Sequence, residues 1–240
     1  MEIEIVHLYY DLLNTYGDDG NIKILKMRAE KRGIGVSVKK ASVGDNVKNA
    51  DIIFIGGGQD KEQAIAAEDA LRNRADFFRG YINDGGVGLF ICGGYQLMGE
   101  YYVDASGKKI SGVKALPIRS EAGSERFTGN IMVKGELETI IGFENHSGRT
   151  YLEGGKSLGE VIVGKGNNGK DKTEGCVFNN ALGTYMHGPL FSKNPALCDD
   201  LLRRALIRKY GSCVLEPLSD KFELLAKQDM INRLTEQKVK

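Results

Sequence analysis

Apolar positions in the first hundred residues fall into short continuous runs separated by amphipathic stretches. Residues 3–9 alternate and then run apolar, and residues 50–55 and 87–91 are almost wholly apolar. Continuous runs of this length fit parallel strands buried on both faces. Residues 35–42 form a further short strand, and residues 22–32 and 61–84 carry apolar side chains at helical spacing. Strand–helix alternation at these intervals predicts right-handed βαβ units, hence a parallel sheet with helices on both faces.

Beyond Gly99 the pattern changes. Residues 101–116 mix polar turns with short apolar runs, and short strands are predicted at 131–133, 139–143, 161–163 and 176–178. Residues 167–172 read as a polar, exposed loop, and residues 183–189 sit at the end of another short strand. Two helices close the chain, at 194–210 and 219–239, with Ser219 placed as the N-cap of the second. No linker, repeat or low-complexity block interrupts residues 1–240, so one domain is expected.

Composition narrows the function classes. The 33 basic and 32 acidic residues give a net charge of +1, which points to neither nucleic acid nor an anionic membrane. No apolar segment is long enough to span a bilayer, and the acidic N-terminus lacks the basic start of a signal peptide. The four cysteines (Cys92, Cys176, Cys198 and Cys213) form no C-x-x-C pair and no metal-ligand spacing, so a cytoplasmic protein with reduced thiols and no metal is expected. Glycine is abundant, at 32 residues against 4 prolines, which suits many tight strand–helix turns.

Three motifs carry chemistry. The 87–91 strand stops at Cys92, followed by Gly93-Gly94 and a helical Tyr95-Gln96-Leu97-Met98. Strand, nucleophile, Gly-Gly and helix is the order of a nucleophile elbow, in which backbone N–H groups favour a thiolate and an oxyanion. Gly56-Gly57-Gly58 ends the 50–55 strand; in an open parallel sheet it lies at the same carboxyl edge as Cys92 and can present N–H groups to an anion. No Gly-Lys-Ser/Thr follows, so it is not a nucleotide-binding P-loop. A thiol nucleophile needs a base that later protonates the leaving amine, a role for histidine. His7 lies inside the first strand and reads as structural; spacing leaves His146 and His187 both open.

Together, Gly56-Gly57-Gly58, Ile91-Cys92-Gly93-Gly94-Tyr95-Gln96 and Tyr185-Met186-His187-Gly188-Pro189 resemble the class I (triad) glutamine amidotransferases. More narrowly they are similar to the branch shared with cobyric acid synthase, whose Gly-Tyr/Phe-Glu-x-His motif corresponds to residues 142–146. Within that branch the likeness is to glutaminase subunits of lipid II isoglutaminyl synthases. It runs nearly the full length and includes Asn14-x-Tyr16-x-Asp18-x-Gly20-Asn21, Arg126-x-Thr128-Gly129 and Gly166-Asn167-Asn168.

The resemblance implies a flavodoxin-like α/β fold and hydrolysis of L-glutamine through a Cys92 thioester. It implies His187 as the base, with His146 lining or supporting the pocket. Gly93 with Gly57 or Gly58 would form the oxyanion hole. Arg126 would take the substrate α-carboxylate, where a bidentate fork suits the task, and Gln96 would line the substrate site. Many triad members carry Glu two residues after the His; here that position is Pro189. The third member is then either absent or supplied from elsewhere, with Asp18 the candidate and Asp19 next, against the reading that both simply cap the first helix. ATP and Mg are expected not on this chain but on a MurT-like partner of the Mur ligase family, which would amidate the D-Glu α-carboxylate of lipid II. The final helices and the loop near Asn167 are the expected docking surfaces. Alternatives are a corrinoid acceptor, as in cobyric acid synthase, and a non-catalytic regulatory module.

Overall fold

In a computed structural model, residues 1–239 are described. The first half runs β1 (Glu2–Leu8), α1 (Gly20–Glu30), β2 (Gly35–Ala41), β3 (Ile52–Ile55), α2 (Asp60–Asp69), α3 (Ala75–Asn83), β4 (Val87–Ile91) and α4 (Gly93–Met98). There follow β5 (Tyr101–Val103), β6 (Lys109–Ser111), β7 (Ile118–Gly135), β8 (Thr139–Leu152), β9 (Gly159–Val163) and β10 (Thr173–Glu174). The chain ends with β11 (Cys176–Phe178), β12 (Ala181–Thr184), β13 (Met186–His187), α5 (Pro195–Tyr210) and α6 (Lys221–Val239).

The first sheet has the order β11-β12-β4-β3-β1-β2, parallel except for β11. Strand periodicity divides its side chains between two cores. Val6, Leu8, Ile53 and Ile55 pack on the face covered by α2 and α3, whereas Ile3, Ile5, Ile52 and Phe54 face Leu25, Leu201 and Leu202 of α1 and α5. Burial on both faces is what makes these strands apolar throughout. His7 is buried edge-on to Phe54 with ring centroids 5.1 Å apart, and burial lowers its pKa to about 4.

The second sheet is the main departure from the pattern reading. Instead of short strands at 131–133 and 139–143, β7 and β8 form one long antiparallel hairpin, with a bulge between Ala122 and Phe127. It leads a second, largely antiparallel sheet, to which β13 pairs through His187 opposite Phe143. Helix α6 covers part of it through Met230, Ile231 and Leu234 against Met132 and Ile141.

Three smaller expectations also change. The helix foreseen over 61–84 is α2 and α3 joined through a π-turn over Ala70–Arg74, where buried Asp69 accepts from Tyr9 and Arg74 at 2.8 and 2.7 Å. Helix α6 begins at Lys221, which puts Asp220 and not Ser219 at its cap; the Asp220 carboxylate binds Arg28. Asn167 and Asn168 are buried, so the loop is exposed only over residues 169–172. No helix among the described residues is long and apolar enough to cross a membrane.

Candidate active site

Cys92 immediately follows β4 and adopts φ 50°, ψ −102°, a left-handed conformation that is costly for a side-chain-bearing residue. The surroundings hold it there. Its N–H donates to Thr184 O at 2.8 Å, Gln96 N–H donates to its carbonyl at 3.0 Å, and Gly94 N–H donates to Gly56 O at 3.2 Å. Gly94 is required by close approach: a Cβ there would lie 2.8 Å from both Ile55 Cγ2 and Ile55 O. The fold therefore presses α4 onto the end of β3 and turns the half-buried sulfur out between strands.

Four segments meet at this carboxyl edge. Asp18, from the turn between β1 and α1, is fully buried, with Oδ1 and Oδ2 at 3.0 and 3.2 Å from His187 Nδ1. Its Oδ2 also accepts the Gly57 N–H at 2.9 Å. Neither Asp18 nor Asp19 caps α1: the helix has no side-chain cap bond, and Asp19 instead pairs with Lys23. A Cβ on Gly57 would lie 2.8 Å from His187 Cε1 and 3.2 Å from Cys92 Cβ, so Gly57 sits in the angle between the three side chains.

The imidazole is polarised by this setting. Burial acts to lower the His187 pKa, but the Asp18 hydrogen bond and the adjoining Cys92 outweigh it and push it up to about 10. Nε2 is buried beside Cys92, whose hydrogen-bonding capacity and charge both act to raise the pKa, although no hydrogen bond of ordinary geometry joins the two. Such a gap is usual for a catalytic pair without substrate. With Asp18 accepting from Nδ1–H, Nε2 is the ring nitrogen that takes the second proton, and the raised pKa favours holding it there.

Of the two glycines left open for an oxyanion site, Gly57 has its N–H committed to Asp18. Gly58 N–H has no acceptor among the described residues, and it lies 3.4 Å from where a Cβ of Gly93 would stand. The Gly58 and Gly93 backbones thus converge beside the sulfur.

His146 stands elsewhere. Its ring stacks on Tyr185 with centroids 3.6 Å apart and planes 5° from parallel, and its Nδ1–H donates to Gly148 O at 2.8 Å. Burial lowers its pKa, so it is neutral. Tyr185 links it to Gln96, whose Nε2 donates to the Tyr185 hydroxyl at 3.0 Å while its Oε1 accepts from Gln63 at 2.8 Å. Gln63, Gln96, Tyr102 and Ser147 wall a cavity of about 400 Å³ beside Gly93. Arg126 is exposed on β7, and its guanidinium donates to Oδ1 and O of Asn145.

Two buried groups escaped the sequence reading. Glu174 Oε1 accepts from Thr184 Oγ1 at 2.6 Å and from Tyr185 N–H at 2.9 Å, bracing the strand that binds Cys92 N–H and continues to His187. Burial pushes its pKa up to about 7. Glu144, within the 142–146 motif, accepts the N–H groups of Lys165 and Gly166 at 2.8 and 2.9 Å and so fastens the 164–168 turn. For Glu144 the signal is a carboxylate following the apolar Ile140-Ile141-Gly142-Phe143 run, whereas Glu174 follows the charged Lys170-Asp171-Lys172 stretch and carries no such signal. Among the described residues no cluster of His, Cys, Asp or Glu is arranged to hold a metal ion.

Comparison with known proteins identifies the family. The CobB/CobQ-like glutamine amidotransferase domain matches residues 4–195. The lipid II isoglutaminyl synthase (glutamine-hydrolyzing) subunit GatD of Staphylococcus aureus is 41% identical over 240 residues, covering 99% of this chain and 98% of that protein. GatD of Streptococcus pneumoniae is 45% identical over 222 residues, covering 90% and 85%. Cobyric acid synthase of Chlorobium phaeobacteroides is 31% identical over 123 residues, 48% of this chain but 24% of that enzyme. Among solved structures, a glutamine amidotransferase superposes with TM-score 0.55 at 16% identity, over 83% of this chain and 98% of that one. PurLQS from Thermotoga maritima gives 0.52 at 15% identity, over 86% and 98%; at such identities the likeness is one of fold. The chain belongs to the CobB/CobQ-like glutamine amidotransferases.

Proposed function

We propose that this chain is the glutaminase subunit of a lipid II isoglutaminyl synthase, releasing ammonia from L-glutamine for a MurT-like ligase subunit. The observation that carries the reading is the array of half-buried Cys92 with buried His187 and Asp18 at the elbow. Cys92 sulfur attacks the side-chain amide carbon, with the thiol proton held on His187 Nε2. The oxygen that gains charge is met by the Gly58 and Gly93 N–H groups, each such donor contributing about 3 kcal/mol. The C–N bond then breaks as Nε2–H protonates the leaving nitrogen, giving ammonia and a γ-glutamyl thioester. Water, deprotonated by the same nitrogen, attacks the thioester, giving glutamate and the free thiol. Asp18 keeps Nδ1 protonated and stabilises the imidazolium at each stage.

Arg126 meets the α-carboxylate, and Gln96, which walls the cavity next to Gly93, lines the substrate site. His146 supports that wall through Tyr185. The partner supplies ATP and Mg and converts the D-Glu α-carboxylate of lipid II to its amide, which places the chain in the cytoplasm. Similarity over nearly the whole length of two GatD subunits supports this acceptor over a corrinoid. The test is ammonia release from L-glutamine by the purified chain, alone and with a MurT-like subunit. Turnover abolished by Cys92→Ser and by His187→Ala is expected; continued silence with the partner present would refute the reading.

A further inference from the structure

Tyr16 is the side chain that closes the exposed side of His187. It adopts φ 58°, ψ 22°, a strained conformation for a residue with a large side chain, in the turn that two residues later supplies Asp18. The turn is pinned on both sides: Thr15 N–H donates to Gly57 O, and Asp19 N–H donates to Asn14 Oδ1, each at 2.9 Å. The ring stands edge-on to His187 with centroids 4.9 Å apart, and tilted against Phe143 at 6.5 Å. Its outer surface remains in solvent while His187 beneath it is 1% exposed.

The hydroxyl is held from the second sheet. Asn145 Nδ2 donates to it, and Asn145 Oδ1 accepts from Arg126 Nε and, at 3.3 Å, from Thr128 Oγ1. Register explains the reach. His187 pairs with Phe143, Asn145 is two residues along β8 on the same face, and Thr128 lies opposite Asn145 on β7. A continuous chain of contacts therefore runs from Arg126 through Asn145 and Tyr16 to the imidazole.

We propose that Tyr16 is a positioning residue that seals His187, and that the Tyr16–Asn145–Arg126 chain is a clasp through which a carboxylate arriving at Arg126 is sensed at the imidazole. The inference rests on the glutaminase reading for the identity of that carboxylate. In the free protein the guanidinium is engaged by Asn145, so an amino-acid α-carboxylate competes with Asn145 Oδ1 for its N–H groups. Loss of that bond frees Asn145, and with it the hydroxyl that holds Tyr16 in its strained turn. Substrate recognition and the state of the base are thereby linked without any contact between substrate and Tyr16.

The test uses the full chain with histidines labelled for NMR; only three are present, His7, His146 and His187. In a Cys92→Ser background, Asn145→Ala and Tyr16→Ala should each displace the His187 ring signal and leave His7 unmoved. L-Glutamine should displace it in the parent and not when Asn145 is also alanine. In the active chain with its ligase partner, Tyr16→Ala should lower kcat about tenfold or more, and Tyr16→Phe, which keeps the ring, should restore most of it. Asn145→Ala should lower KM with little change in kcat, since it removes the competitor for Arg126 and releases in advance a contact that the substrate itself would break. A His187 signal and a KM-to-kcat relation both indifferent to Asn145→Ala would overturn the clasp, whatever the turnover. Glutamine without effect on any signal, while the variants still displace His187, would overturn transmission from Arg126 and count against glutamine as the ligand.

Discussion

Asp18→Asn isolates the contribution of the buried carboxylate to catalysis. Asp18 faces two donors, Gly57 N–H at 2.9 Å and His187 Nδ1–H at 3.0 Å, and as a carboxylate it accepts from both. An asparagine amide offers one oxygen and one NH₂. If the oxygen stays on Gly57 N–H, the NH₂ faces Nδ1 and forces the proton onto Nε2, where the ring can no longer accept from Cys92. If the oxygen turns to Nδ1, two buried donors oppose each other at Gly57. The first arrangement satisfies every buried donor and is the one expected, so general-base action is lost, which corresponds to about 10²–10⁴ in kcat, or about 3–5 kcal/mol of transition-state stabilisation. The assay is coupled ammonia release at saturating glutamine with the ligase partner present, alongside thermal unfolding. The unfolding control has its own signature. His187 has a raised pKa, so it contributes stability that is complete below its unfolded value of 6.5 and lost as pH rises through about 10. The variant should therefore be less stable than the parent at neutral pH and converge on it in alkali. A kcat within threefold of the parent, with the variant folded, would refute the assignment of Asp18.

Further expectations concern packing around the site. Gly57→Ala would drive a methyl group into His187 Cε1 and Cys92 Cβ; a displacement of the order of 1 Å should cut kcat about 10²-fold with folding retained, as read by ammonia release and circular dichroism. Glu174→Gln should stabilise the protein in alkali. The carboxyl pKa is raised from 4.5 to about 7, so its contribution is complete below pH 4.5 and lost as pH rises through 7. Relief of about 3 kcal/mol is expected at pH 8 and almost none at pH 4, measured as the difference in urea unfolding between variant and parent. Arg28→Ala leaves Asp220 and part of Asp199 unpaired between α1, α5 and the start of α6. It should cost about 3 kcal/mol in the same unfolding assay, with turnover by the folded fraction unaffected.

The parts of the fold that could be read in advance are those whose burial is local. Strands β1, β3 and β4 are covered on both faces, so their apolar runs declare them without knowledge of their neighbours. The β7–β8 hairpin does not announce itself in this way. Along β7, buried Ile118 and Ser120 are followed by exposed Ser124, Glu125 and Arg126 before burial resumes at Phe127. Only the apolar patches at its far end resemble strands, because a half-solvated strand with a bulge carries its pairing in hydrogen bonds and not in composition. The π-turn was hidden for a related reason: side chains keep a helical spacing across it, and its cause is a buried contact with Tyr9 on another element.

At the site, Cys92 was legible because a nucleophile followed by Gly-Gly at a strand end has few other uses, whereas Asp18 was ambiguous because an acidic residue before a helix has an ordinary one. The structure shows where Asp18 lies relative to Pro189. A Cβ on Gly20 would run into the Pro189 ring, and Phe191 N–H donates to Asn21 Oδ1 at 3.0 Å. The start of α1 is therefore docked on the segment just after His187, at the position where other triad enzymes carry their glutamate. Asp18, two residues before Gly20, lies beside the imidazole with its carboxylate facing Nδ1. The same turn carries Tyr16 to the outer side of that ring.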